Sequence, residues 1–155
     1  KEELSYFNSS NIFIVRNWKG DIIGSIRVLK WDRKLILPIQ KKFGIDLLHT
    51  KGIKSEYNFW HIGRFAISPL SDTFRVNLFK RLMMYAIYPI LCASKSYMIA
   101  ETDSKLFRVI NMLGIKAVQL GVPINYLASE TIPVYSDKDG LVSFYNKNRY
   151  LLYNF

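Results

Sequence analysis

The stretch of sequence that decides the fold is FWHIGRFAIS, which runs from Phe59 to Ser68 and is closed by Pro69. Its aromatic and β-branched residues favour a strand, and both of its alternating faces are mostly apolar. Such a strand is typical of the centre of a sheet that other layers cover on both sides. Gly63 lies in the middle of the strand and indicates a bulge or a close backbone approach. A bulge would shift the alternation of the residues that follow it.

The residues around this strand predict a mixed sheet. NIFIVR (Asn11 to Arg16) and IIGSIRVLKW (Ile22 to Trp31) flank a turn around Gly20 and predict a hairpin. The later order of strand, helix, strand, helix and strand requires crossover connections and some parallel pairing. The fold class is therefore α/β, a three-layer sandwich with a mixed sheet. Between the hairpin and the central strand, the sequence predicts a short helix or turn over Pro38–Phe43, ended by Gly44, and a polar loop over Lys51–Tyr57. After the central strand it predicts a helix that Ser71 or Asp72 opens and that Pro89 kinks or ends, a strand over Tyr97–Ala100 and a helix over Ser104–Leu113, ended by Gly114. The last predicted elements are a strand over Ile115–Leu120, an extended region over Tyr126–Tyr135 and a helix over Asp139–Leu151.

Composition excludes several classes of protein. The chain has 155 residues, of which 50% are apolar. This apolar content excludes a disordered tail, and the single cysteine, Cys92, excludes a disulfide-stapled scaffold or a zinc site of several cysteines. The longest uncharged apolar stretch, Leu82 to Ala93, is too short to span a bilayer. We expect one domain over residues 1–155, and the start at Lys1 without a Met leaves open that an N-terminal part is missing.

The chain is strongly basic, with 22 Lys and Arg against 12 Asp and Glu and a net charge of +10. This charge favours encounters with nucleic acid, an anionic membrane or an acidic protein, and it does not choose among them. The basic residues are dispersed, and the only adjacent pairs are Lys41-Lys42 and Lys80-Arg81. No zinc-finger spacing or aromatic RNA-binding motif is present, so nucleic acid is disfavoured. A merely solvated basic surface stays open.

Several side chains on the strands are candidates for chemistry. His61 is either a hydrogen-bonded structural residue or a general base, because imidazole changes protonation near neutral pH. Simple alternation puts Phe65 and Ile67 on the face of His61, and Arg64 on the opposite, equally apolar face. A guanidinium buried there must bind a carboxylate or an anionic ligand. Glu101, at the end of a later strand, is either that carboxylate or a base.

Two further residues have ordinary structural interpretations. Arg27 lies in the second hairpin strand, where we expect its stem to cover the sheet and its head to lie in water. Cys92 lies in an apolar run and is expected to be a buried, inert thiol, although a dyad with His49 or His61 stays open. There is no glycine-rich nucleotide loop and no histidine pair at metal-ligand spacing, so no metal is expected.

The order of these elements resembles the GNAT fold of the N-acetyltransferases. Within it, the chain looks most like the acyl-homoserine-lactone (autoinducer) synthases and the long-chain N-acyl amino acid synthases. Those enzymes carry a Gly-x-x-Arg-Leu strand, a Trp-Glu-aliphatic-Ser-Arg-Phe strand and, later, a helix ending in x-Gly before a closing strand. The matching stretches are GSIRVLKWDRKLILPIQKKF (Gly24 to Phe43), FWHIGRFAIS (Phe59 to Ser68) and NMLGIKAVQLGVPINYLASETIPVY (Asn111 to Tyr135).

The resemblance implies an α/β/α sandwich with a mostly antiparallel sheet, and it implies roles for several residues. Arg27 and Arg64 match family arginines that shape the substrate site. Phe65, Ala66 and Ile67 match the part of the central strand that offers backbone groups to the pantetheine arm of the acyl donor.

The chain also departs from the family. His61 replaces the family's Glu, and Gly63 replaces its Ser. The stretch DTFRVN (Asp72 to Asn77) occupies the place of the glycine-rich pyrophosphate loop, and Ile110 replaces a Tyr that many acetyltransferases have. The acidic residues that hold the acceptor amine in autoinducer synthases would lie upstream of Lys1 or are lost.

These points predict a bacterial, cytoplasmic acyltransferase that moves an acyl chain from an acyl-carrier-protein or coenzyme A thioester to the amine of a small acceptor or amino acid. His61 would take the proton of the amine, with Arg64, Arg27 and Glu101 beside it. The helix start near Ser71, with Arg75 and Lys80, would hold a donor phosphate.

The absent glycine loop and the positive charge favour an acidic acyl carrier protein as donor. Two alternatives stay open: a catalytically inactive protein that binds an acyl or anionic ligand, and a charge-driven binder of nucleic acid or of a membrane surface. The geometry expected of the acyltransferase is a V-shaped opening between the Phe59 and Tyr97 strands, leading to an apolar tunnel with His61 at its mouth.

Overall fold

The computed structural model describes residues 6–7, 9–69 and 72–153. They form one sheet with helices on its faces. The strands are β1 (Ser10–Arg16), β2 (Ile22–Lys30), β3 (Asn58–Ile67), β4 (Ser96–Asp103), β5 (Val118–Gln119), β6 (Ile124–Tyr126) and β7 (Ser129–Asp137). The helices are α1 (Pro38–Phe43), α2 (Asp72–Cys92), α3 (Ser104–Met112) and α4 (Lys138–Asn148), with a 3-10 turn at Arg149–Leu152.

The sheet is mixed and mostly antiparallel, as predicted. Its strand order is β1-β2-β3-β4-β7-β5, and β6 pairs with β7 outside this path. Among the described strands, only β3 and β4 pair in parallel, and α2 connects them. This parallel pair in the middle of an antiparallel sheet is the feature that positions the site described below.

Two apolar clusters cover the two faces of the sheet. On one face, α2 and α4 pack on the strands, and the buried residues include Ile62, Leu82 and Phe144. On the other face, the segment between β2 and β3 supplies Leu37 and Leu47, which belong to the second cluster. The three-layer sandwich and the doubly covered central strand are therefore confirmed.

A bulge interrupts β3, as Gly63 indicated. Arg27 of β2 pairs with Gly63, but Ser25, two residues away, pairs with Ala66, three residues further on, so β3 carries one extra residue. Arg64 has a left-handed backbone, with φ 51°. The bulge turns Phe65 to the α2 face, where its ring centroid lies 5.1 Å from that of Phe79. The simple alternation that put Phe65 and Ile67 with His61 is therefore wrong beyond the bulge.

The sequence predicts that Pro89 kinks or ends helix α2. The helix continues past this proline and ends three residues later, at Cys92, so Pro89 does not end it. The predicted cap residues cannot be compared, because Ser71 and the side chain of Asp72 lie outside the described residues. None of the helices in residues 6–7, 9–69 and 72–153 is both long and apolar enough to cross a membrane.

The C-terminal strands differ most from the prediction. The strand expected over Ile115–Leu120 is reduced to the two residues of β5. The extended region expected over Tyr126–Tyr135 contains a tight turn, with Tyr126 of β6 paired directly to Ser129 of β7. The two residues between them, Leu127 and Ala128, are not typical turn residues, which is why the pattern did not reveal the turn.

Candidate active site

Strands β3 and β4 separate after four paired residues. Their parallel pairing covers Asn58–His61 against Ser96–Ile99. Beyond this point β3 stays paired with β2, and β4 stays paired with β7 as far as Asp103. The strands therefore form a V whose apex lies at His61. The predicted opening between them is confirmed, and it leaves backbone groups of β3 that face β4 without a strand partner in the described part of the chain.

A large, mostly apolar cavity fills the V on the α2 side. Its volume is about 730 Å³, which is within the usual range for small-molecule sites. Side chains from β2, β3, α2, β4 and α3 surround it. The apolar ones are Ile26, Ile62, Phe65, Ala66, Phe79, Met83, Met98, Ala100, Leu106 and Ile110. Such a cavity suits an acyl chain, because each buried methylene contributes about 0.8 kcal/mol.

A second, smaller cavity of about 350 Å³ lies on the opposite side of the sheet, against α1. Four cationic side chains and one carboxylate, that of Glu101, are among its lining residues. Gly63, Arg64 and Glu101 line both cavities, so the two cavities meet at the apex of the V. The complete lining of the smaller cavity is Tyr6, Arg27, Pro38, Lys41, Lys42, His61, Gly63, Arg64, Glu101, Tyr126 and Leu127.

His61 and Glu101 form a dyad at this junction. His61 Nε2 lies 2.6 Å from Glu101 Oε2, and the two side chains are 2% and 13% exposed. When the carboxylate is charged, the neutral imidazole donates from Nε2, so that Nδ1 is the nitrogen left to accept a proton. Nδ1 is buried and has no hydrogen-bond partner among the described residues, and the same holds for Glu101 Oε1. The dyad therefore keeps acceptor positions available at the apex.

Gly63 leaves the space that the imidazole occupies. A Cβ atom at this position would lie 3.0 Å from His61 Cε1 and 3.6 Å from Arg27 Nη2. The first distance is tighter than ordinary carbon–carbon contacts, and the second is an ordinary van der Waals contact. The two departures from the resembling family, His61 and Gly63, are thus in direct contact, since the ring fits where the strand has no side chain.

Arg27 is buried, with 6% of its surface exposed. The prediction that its head lies in water is therefore wrong, because Tyr6 and α1 cover this face of β2. Its Cζ atom lies 5.2 Å from the centroid of the Tyr6 ring. Burial lowers the pKa of the Arg27 guanidinium below its ordinary value, while electrostatic interaction with Tyr6 and with Glu101 acts in the opposite direction.

Arg64 is exposed, so the prediction that it lies buried within the strand is wrong. The bulge is the reason, since it takes Arg64 out of the alternation and gives it a left-handed backbone. From this position Arg64 lines both cavities. The structure therefore brings together all four predicted catalytic candidates, and it places Arg27 and Arg64 differently from the expectation.

We expect Arg64→Gly to relieve backbone strain while weakening the binding of an anion in the smaller cavity. A left-handed backbone costs about 1 kcal/mol or more for a residue with a Cβ atom, and glycine removes this cost. Lys95→Gly is the matched control, because Lys95 is also exposed and has φ 48° but does not line either cavity. Thermal unfolding measures the effect on stability in both variants, and only Arg64→Gly should raise the Kd of a small carboxylate. An equal Kd in both variants would contradict the assignment of Arg64 to the site.

Only some of the predicted donor-binding residues line the larger cavity. Phe65 and Ala66 line the larger cavity, but Ile67 lies beyond it, in a shallow depression. Arg75 is exposed and Lys80 half-buried on α2, and neither is a lining residue of the two cavities.

Cys92 is exposed, contrary to the expectation of a buried thiol. It lies at the end of α2, outside the lining of both cavities, whereas His61 lines the smaller one. In the described part of the chain, no group of three or more His, Cys, Asp or Glu is arranged to hold a metal ion.

Sequence reasoning missed six residues of the smaller cavity, namely Tyr6, Pro38, Lys41, Lys42, Tyr126 and Leu127. The adjacent pair Lys41-Lys42 was visible as one of only two such pairs, but nothing in the sequence placed it beside Arg27. Tyr6, Tyr126 and Leu127 carried no signal, because they come from segments far apart in the chain. Lys42 Nζ lies 4.2 Å from the centroid of the Tyr126 ring, which joins two of these segments.

Solved structures of acyl-transferring synthases share this arrangement of strands. FeeM, an N-acyl amino acid synthase from uncultured soil microbes, is 18% identical, with a TM-score of 0.62 over 86% of this chain and 76% of FeeM. BjaI, a coenzyme A-dependent acyl-homoserine lactone synthase, is 14% identical, with a TM-score of 0.63 over 94% and 67%. The chain has the fold of these GNAT-like synthases.

A third structure agrees with this fold. LasI, an acyl-homoserine lactone synthase, is 14% identical to this chain, with a TM-score of 0.60 over 87% of this chain and 68% of LasI. No protein-family model and no curated protein sequence matches the chain. The likeness is thus one of the GNAT-like fold, and the chemistry has to be argued from the two cavities and the dyad between them.

Proposed function

We propose that the protein is an acyltransferase that moves an acyl chain from a pantetheine thioester to the amine of a small acceptor. The observation that carries this proposal is the meeting of an apolar cavity and a cationic cavity at the His61–Glu101 dyad. Transfer between two substrates needs such a junction, where the reacting atoms approach each other from opposite sides. The acyl-transferring chemistry of FeeM and BjaI supports the same reaction class.

The dyad supplies the proton transfer. The Nδ1 atom of His61 takes a proton from the ammonium or amine group of the acceptor, directly or through a water. Glu101 holds the imidazole ring through Nε2 and offsets the positive charge that develops on it. The amine nitrogen then bonds to the thioester carbonyl carbon, and backbone N–H groups of β3 beyond the apex hold the oxyanion. Collapse of this adduct breaks the C–S bond, and the sulfur takes the proton held by the His61 imidazolium, so that the amide and the pantetheine thiol are released.

The smaller cavity favours an acceptor that carries a carboxylate. Arg27, Lys41, Lys42 and Arg64 outnumber the single carboxylate of its lining, and that carboxylate is already bonded to His61. In a partly buried site, an excess of cations attracts an anionic ligand strongly. We infer that the acceptor is an amino acid or a similar anionic amine, in agreement with the substrate class named for FeeM.

The open end of the V favours a donor that brings negative charge. Helix α2 begins after β3 and α3 begins after β4, so both helices start at this end. Exposed basic residues lie in their first turns, namely Arg75 on α2 and Lys105 on α3, and Arg108 follows in the next turn of α3. With a net charge of +10 for the chain, these residues suit the phosphate of a pantetheine arm and an acidic carrier protein that bears it.

The direct test is thiol release. The protein is incubated with acyl carrier protein or coenzyme A thioesters of several chain lengths, together with amino acids and the corresponding amines that lack the carboxylate. We expect thiol release that needs an acceptor and that is faster with the amino acid than with its decarboxylated counterpart. Absence of acceptor-dependent release from correctly folded protein would overturn the proposal. Binding of both ligands without release would identify an inactive ligand-binding protein.

We expect Arg75→Glu to raise the KM for a carrier-protein donor by about fivefold, because an exposed charge pair contributes up to ~1 kcal/mol. Lys51→Glu is the control, since it makes the same change of charge at an exposed position in the loop before β3, at the opposite end of that strand. A short pantetheine thioester without the protein should show no such increase. Equal effects of the two variants would place the carrier elsewhere on the surface.

A further inference from the structure

The turn between β6 and β7 has an unusual backbone for its residues. Leu127 and Ala128 both have left-handed backbones, with φ 50° and 62°. They form a two-residue hairpin loop between Tyr126 and Ser129. Turns with two left-handed residues normally contain Asn and Gly, because a Cβ atom is unfavourable there. Strain of this kind persists where the surrounding structure imposes it, and it is frequent at binding sites.

Leu127, one of the two strained residues, lies at the smaller cavity. It belongs to the lining of the smaller cavity, yet 83% of its surface is exposed. A large apolar side chain at the rim of a cationic cavity makes no use of its hydrophobic surface until a ligand covers it. Ala128, its neighbour in the turn, is not part of that lining.

The turn is held against the other wall of the same cavity. The Lys42 ammonium lies 4.2 Å from the centroid of the Tyr126 ring, immediately before Leu127. Because Lys42 lies on α1, this contact fixes the hairpin relative to the helix that supplies two of the cations. The cavity thus has cationic residues on α1, β2 and β3, and the exposed apolar side chain of Leu127 lies among its lining residues.

We propose that Leu127 determines acceptor selectivity by contacting the apolar side chain of an amino acid whose amine and carboxylate lie deeper in the smaller cavity. This inference rests on the proposed function. The amine lies toward His61, the carboxylate lies among the cations, and the side chain points outward to Leu127. Acceptors with a larger apolar side chain should therefore react with a higher kcat/KM than glycine does.

The test compares a series of acceptors, namely glycine, alanine, valine and leucine, with one fixed acyl donor and thiol release as the readout. In the unchanged protein we expect kcat/KM to rise along the series. Leu127→Gly should lower kcat/KM for leucine by about tenfold or more relative to kcat/KM for glycine, the usual effect of lost apolar contact in a specificity site. Ala128→Gly is the matched control, because it relaxes the same turn without removing a lining side chain.

The outcomes are distinguishable. If Leu127→Gly changes kcat/KM equally for all four acceptors, the turn acts only through backbone geometry and the inference is overturned. The same holds if Ala128→Gly also removes the rise of kcat/KM along the series. An unaltered series in Leu127→Gly would overturn it too. Leu127→Ala is a second variant, which keeps a Cβ atom. Its kcat/KM for leucine should lie between the values for the unchanged protein and for Leu127→Gly. No thiol release from the unchanged protein with any acceptor would refute the proposed function itself.

Discussion

Replacing His61 with Gln should lower kcat by about 10²- to 10⁴-fold, which is the usual contribution of a positioned general base. The glutamine amide can still donate to Glu101, so the change removes proton acceptance while keeping the hydrogen bond of the dyad. The pair His61 and Glu101 is buried, and the isosteric replacement limits the effect on folding. Turnover is measured by thiol release at saturating donor and acceptor, and thermal unfolding checks that the fold is kept.

Two further variants complete this experiment. His49→Gln is the matched control, because His49 is the other histidine and its side chain is 79% exposed, away from both cavities. It should keep full turnover. Glu101→Gln should cost less than His61→Gln, since an amide oxygen can still accept from Nε2. If Glu101→Gln were the more damaging of the two, Glu101 rather than His61 would be the base.

Filling the larger cavity should shorten the acyl chain that the protein accepts. Ala100 is a small residue on β4 whose side chain faces this cavity of about 730 Å³, opposite α2. A phenylalanine there would occupy space that a long chain needs. Exclusion of four methylenes costs about 3 kcal/mol, or about two-hundredfold in kcat/KM. We therefore expect Ala100→Phe to lose long-chain donors by this factor and to keep short-chain donors.

The chain-length series is its own control. A general loss of folded protein would reduce kcat/KM equally for short and long donors, whereas a shortened cavity reduces it progressively. Met83→Trp fills the same cavity from α2, on the opposite wall, and should produce the same trend if Ala100→Phe does not fold. Uniform loss in both variants would show that the acyl chain does not lie in this cavity.

The strand that contains Phe59 illustrates what periodicity can predict. Apolar residues on both of its faces indicated a covered central strand, and Gly63 indicated a bulge, because a residue without Cβ is favoured where a strand distorts. The sequence did not show which side chains the bulge redirects, because this depends on where between Gly63 and Ala66 the bulge lies. The pairing of β3 with β2 fixes that position. Arg64, which follows Gly63 in the bulge, is therefore exposed instead of buried, whereas Arg27 is buried because Tyr6 and α1 cover it.

The candidate site was likewise predicted only in part. The sequence by itself determined the order of elements, the mixed three-layer sandwich and the residues His61, Arg27, Arg64 and Glu101 as candidates, since these depend on local propensity and alternation. Only the tertiary structure decided that His61 bonds Glu101, 40 residues away, and that Lys41-Lys42 shares a cavity with them. It also decided the Leu127–Ala128 turn, which has no turn chemistry of its own. The physical reason is that contacts between distant segments, and backbone strain imposed by them, depend on packing that no local pattern records.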